Sequence, residues 1–200
     1  MPPRETRPLV HCAFRIVHSH PFRVNRFQQR PDPRRRLDGG PRHAPHPPGV
    51  IRCAARAAIV RDGALLTVVL RDREGDFHVL PGGGQQHGET LVEAVQRECR
   101  EEIGAEVEVG ALLYLREYVG KNHGFAQRHA HFHQVEAVFR CALRGEPSAA
   151  KGTARDNRQV GLAWIPLSEL HRFRLFPAML KTLVKDGDLS APATYLGDIN

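Results

Sequence analysis

The four cysteines of this 200-residue chain, Cys12, Cys53, Cys99 and Cys141, form no CxxC pair. That spacing excludes a zinc knuckle and a dithiol redox motif. No apolar run approaches the length of a membrane span, which excludes a spanning helix. Residues 1–49 hold no lysine and a single serine, Ser19, so their Arg-rich, acid-poor start is a poor transit peptide. The apolar run that begins at Pro8 is broken by His11 and Arg15, which makes it an equally poor signal-peptide core. No internal repeat and no helix-turn-helix pattern stands out. Cys99 lies in a helical pattern and Cys53 and Cys141 in apolar strand patterns. They read as small buried thiols in a reducing compartment, which points to a cytoplasmic protein.

With 41% hydrophobic residues, a chain of this length buries one ordinary core. The formal net charge of +7 suggests nucleic acid, but the charge is uneven. Residues 1–49 set ten Arg against three acids, Glu5, Asp32 and Asp38. Residues 50–200 hold nineteen basic and nineteen acidic residues and are neutral. The basic excess therefore belongs to the first quarter, and nucleic acid is not the expected partner of the rest. The same quarter holds ten of the fifteen Pro and five of the twelve His. It reads as a disordered tail, because it has too few apolar residues to offset chain entropy. Regular patterning starts abruptly at Val50. An alternative start codon can be translated as Val inside a longer reading frame, so the native chain is also readable as beginning near Val50.

Residues 50–200 form the expected folded domain. Two apolar runs flank Arg61-Asp62-Gly63, a hairpin signal. A short strand over 77–80 ends at Pro81, and Gly82, Gly83 and Gly84 follow. Thr90 and Glu93 have capping-box spacing, and Gly104 is placed to end the helix they start. Two long strand-like runs, a strand around Trp164 and a helix broken at Pro177 complete the chain. Interspersed strands and helices predict an α/β domain with a mixed sheet.

The densest signal runs from Gly83 through Glu89 to Arg97-Glu98-Cys99-Arg100-Glu101-Glu102-Ile103-Gly104-Ala105. On a wheel of about 100° per residue, Leu91, Val92, Val95, Cys99 and Ile103 share one arc. Glu102 falls inside that arc and Glu98 at its edge. Acids on helices are usually solvated, which suits Glu93. A carboxylate turned towards the core instead needs a cation or donors. Bound Mg²⁺, a hard ion preferring carboxylate oxygen, meets that need, and Mn²⁺ is the other candidate.

This stretch resembles the Nudix box, with Cys99 and Ala105 as mild departures at positions where bulky aliphatic residues are usual. The resemblance covers roughly residues 51–186. It implies a mixed sheet sandwiched between helices (α/β/α) and a metal-dependent pyrophosphohydrolase. The substrate would be a nucleoside diphosphate linked to another group, or a nucleoside triphosphate. It further implies that Glu98, Glu101 and Glu102 ligate the metal, with one of them or another carboxylate as base. Arg97 would orient the acids and Glu89 would brace the loop. The Gly82-Gly83-Gly84 backbone would approach the metal or diphosphate closely.

Glu136 has apolar neighbours on both sides, as in a central strand. Two readings stand for it: a fourth metal ligand or base, or an ion-paired carboxylate. His129, His131 and His133 alternate, as if on one strand face. Tyr114, Tyr118, Phe125 and Arg128 are candidates to stack on a base or sugar. Two other functions compete. One is a non-catalytic sensing module, which should lack box acids, whereas all are present. The other is an isomerase, for which no paired Cys and Glu is evident. Oligomeric state is unreadable, and a homodimer is admitted.

Overall fold

Small apolar residues interrupted by Arg52 and Arg56 follow Ile51, and the first strand forms there. The computed structural model describes residues 49–124, 126–150, 152, 158–184 and 193–200. The tail expected over 1–49 lies outside them, apart from Gly49. In chain order the strands begin with β1 (Ile51–Ala58), β2 (Val60–Arg61), β3 (Ala64–Asp72), β4 (Gly75–Val79) and β5 (Gly82–Gly84). Helix α1 (Leu91–Ile103), β6 (Glu106–Val119), α2 (Ala126–His129) and β7 (His133–Arg144) follow. The chain continues with β8 (Gln159–Pro166), β9 (Leu175–Phe176), α3 (Leu180–Leu183) and β10 (Thr194–Asp198). The hairpin between β2 and β3 turns on Asp62 and Gly63, with φ of 50° and 72°. Both angles lie in the left-handed region that a two-residue I′ turn requires.

The strands form two mixed sheets. One has the order β10-β6-β7-β1-β5, with β1 parallel to β7 and antiparallel to β5. The other is built on β3, which pairs with β2, β4 and β8, and β9 lies parallel to β4. Residues of opposite strand parity feed two separate cores. Ala55, Ala57, Leu66, Val68 and Cys141 pack with Ala94, Val95, Cys99 and Ile103 of α1. Ala58, Leu65 and Val138 pack instead with Leu170, Leu175 and Leu180. Because side chains alternate across a strand, the helical elements cover opposite faces, as the sandwich expectation requires.

Helix α1 begins and ends as its sequence dictates. The Thr90 hydroxyl accepts from the Glu93 N–H at 3.2 Å, and the Glu93 carboxylate accepts from the Thr90 N–H at 2.7 Å. Gly104 closes the helix in the left-handed conformation. Val92, expected in the apolar arc, is 41% exposed instead.

Three other expectations change. The segment around Pro177 is not a broken helix: Leu167–Arg172 is 3₁₀, and Leu175 and Phe176 pair with His78 and Val79. The His row is not on one strand face, because His129 belongs to α2 and only His133 to a strand. Cys99 and Cys141 are buried, but Cys53 is exposed at the start of β1. No described helix is long and apolar enough to cross a membrane.

Candidate active site

Three glycines make β5 an edge strand without side chains, and α1 docks against it. Glu102 Oε2 accepts from the Gly82 N–H at 2.8 Å. A Cβ on Gly83 would come within 2.6 Å of the Glu98 carboxylate, so only glycine leaves that acid its place. Gly82 has a φ of 129°, which also favours glycine.

Arg97 ties the helix to the loop. Its guanidinium grips Glu89 with two bonds, Nε to Oε2 at 3.0 Å and Nη2 to Oε1 at 2.7 Å. It also donates to Gly84 O at 2.9 Å and to Glu98 Oε1 at 2.8 Å, and lies 3.6 Å from Glu101 Oε2. Glu89 in turn accepts from the Gln86 N–H at 2.6 Å, which fixes the turn before the helix. The bonds to Glu89 raise the Arg97 pKa above its ordinary value, and the same bonds hold Glu89 below its own. The side chains of Glu98 and Glu101 are 15% and 22% exposed, so both remain reachable from solvent. The expected residues of the loop and helix thus come together.

Glu136 sits in a buried ion-pair cluster. It is 2% exposed and accepts from Arg116 Nε at 2.6 Å, Arg56 Nε at 3.0 Å and Gln134 Nε2 at 3.0 Å. Three donors therefore meet its two carboxylate oxygens, the arrangement of an ion-paired acid. Burial opposes its charge, but Arg56 and Arg116 outweigh burial and hold the carboxyl below its usual value. Arg56 also donates to Leu80 O at 3.3 Å and to Gly82 O, so the cluster braces the glycine strand. Arg116 reaches the chain end, donating to Ile199 O at 2.7 Å.

Arg52, Arg56, Arg116 and Gln134 escaped the sequence reading. Their one signal was the Arg52-Ala54-Arg56 alternation in an otherwise apolar strand. Tyr114 and Tyr118 are buried, and Tyr118 stacks on His123 with ring centroids 4.8 Å apart. Phe125 and the Arg128 side chain lie outside the description.

A family model described as NUDIX domain matches residues 51–185. The chain belongs to the Nudix family. It is accordingly a hydrolase of diphosphate bonds. No curated protein matches it. Among solved structures it resembles a MutT NUDIX hydrolase from Burkholderia pseudomallei, 30% identical over 60% of this chain and 85% of that one, TM-score 0.48. A NUDIX hydrolase from Nitrosomonas europaea is 21% identical over 74% and 78%, with a TM-score of 0.55. A UDP-X diphosphatase is 21% identical over 79% and 70%, with a TM-score of 0.53. The last two likenesses bear on the fold.

Nudix hydrolases generally use divalent cations. Among the described residues, no three His, Cys, Asp or Glu side chains form a ready-made metal cage. The carboxylates of Glu98, Glu101 and Glu102 nevertheless suit a hard divalent cation, which prefers oxygen ligands.

Proposed function

We propose that this Nudix domain is a Mg²⁺-dependent pyrophosphohydrolase of nucleotide-type substrates. The substrate is a nucleoside diphosphate linked to another group, or a nucleoside triphosphate. One observation carries the reading: Arg97 clamps Glu89, Glu98 and the Gly84 carbonyl at once. The clamp holds the helix acids against a strand that has no side chains to obstruct a diphosphate.

Glu98, Glu101 and Glu102 would hold the metal through carboxylate oxygen. When bound, the cation neutralises the diphosphate and lowers the pKa of a water molecule. Arg97 and Glu89 keep the acids in position, and a helix carboxylate accepts the proton of the attacking water. The water oxygen bonds to phosphorus, the bridging phosphorus–oxygen bond opposite it breaks, and the bridging oxygen leaves with the departing phosphate group. No bond to the protein forms. Glu136 acts through Arg56 on the loop and takes no part in holding the metal.

The test is phosphate and nucleotide release from a panel of nucleoside triphosphates and diphosphate-linked sugars with Mg²⁺. Wild type should turn over at least one substrate, and Glu101→Gln and Glu102→Gln should be slower by at least about 10²-fold. Equal release from all three proteins rejects the assignment.

A further inference from the structure

The face of the sheet beneath the glycine strand carries Arg52, Arg56 and Arg116, with Glu136 among them. Glu136 accepts from Arg56 and Arg116, which leaves Arg52 bonded to a neutral partner, Gln134 Oε1, at 3.0 Å. A guanidinium has five N–H donors, so Arg52 keeps donors for solvent or a ligand besides the bond to Gln134. Its position follows from the register: Arg52, Ala54 and Arg56 line one face of β1, with Ala54 opposite both Glu136 and Gly84. The small Ala54 leaves room, and the Arg52 guanidinium lies over Gly84, where a Cβ would collide with it.

Across the same thin strand stands Glu98, packed on Gly83. Glu98 and Glu102 favour the charged form of Arg52, although burial and Arg56 oppose it more. Arg52 is only partly buried.

The geometry points to Arg52 as the residue that binds a substrate phosphate oxygen at the edge of the glycine strand, beside the helix acids. This inference rests on the pyrophosphohydrolase reading. A diphosphate lying over Gly83 and Gly84 presents one phosphate towards the carboxylates and the other towards Arg52. A guanidinium suits the task because its fork matches phosphate oxygens.

The experiment uses the full chain with Arg52→Gln and Arg52→Lys. Binding of α,β-methylene-ADP, whose bridging carbon resists hydrolysis, is measured by calorimetry with Mg²⁺. KM and kcat are measured with the best substrate of the panel. Losing one charge-assisted contact should weaken binding and raise KM by about tenfold or more, with kcat changed far less. Arg52→Lys should recover part of the loss. Gly84→Ala supplies a second route, because its Cβ displaces the guanidinium; its effect should shrink when Arg52 is already Gln. If Arg52→Gln does not fold, Arg52→Lys and Gly84→Ala decide. Wild-type binding and KM in these variants overturn the inference while the hydrolase reading stands. A wild type that hydrolyses nothing, yet binds the analogue through Arg52, overturns the hydrolase reading alone.

Discussion

Replacing Glu136 by Gln keeps its shape and removes its charge. Arg56 and Arg116 then stay on the buried face without their counter-ion. Removing one partner of a buried ion pair costs about 3–5 kcal/mol. The Arg116 side chain is 9% exposed and finds little water, whereas Arg56, at 20%, recovers some hydration. The lower figure, about 3 kcal/mol, is therefore expected. At a urea slope of about 2 kcal/mol per molar, the unfolding midpoint should fall by about 1.5 M. The single tryptophan, Trp164, reports the transition through its fluorescence. The pH dependence has a definite sign. Because the folded Glu136 pKa is lowered from 4.5, its contribution is full above that value and fades as pH falls through the folded one. The gap between the two proteins should therefore narrow on acidification below about pH 4.5. A Gln variant at least as stable as wild type at neutral pH refutes this reasoning. It would mean that Glu136 is a repelled acid waiting for a metal, and Mn²⁺ affinity should then drop in the variant.

Two further outcomes follow from the same contacts. Gly83→Ala places a methyl group within 2.6 Å of the Glu98 carboxylate, whose flexible end can move, so stability should barely change. Displacing that acid by about 1 Å should lower kcat by about 10²-fold, and an unchanged kcat would refute the placement of Glu98. Thr90→Ala removes one side of the capping box, so thermal unfolding should shift down by about 1 kcal/mol, roughly 3 °C, with kcat within about twofold.

What the sequence made legible is what is local. Glycines, cap, clamp and acids all lie within residues 82–105, so their spacing already carries the geometry of one helix and its loop. The hairpin at Asp62-Gly63 was legible for the same reason. Strand β9 was not, because nothing near Leu175 and Phe176 announces that His78 and Val79 will pair with them. The alternating histidines misled because alternation has meaning only inside a strand, and β7 begins at His133.

Glu136 shows where the boundary lies. Its apolar neighbours correctly placed it on a central strand, since β7 runs between β6 and β1. What it does there depends on residues 20 and 80 positions away, Arg116 and Arg56, brought opposite it by strand register. Had β1 paired one residue out of step, Arg52 and Arg56 would have faced α1 and its acids. Glu136 would then have kept Arg116 as its cationic partner and lost Arg56. Register supplies the partners of Glu136, and register is a property of the folded sheet that no single strand contains.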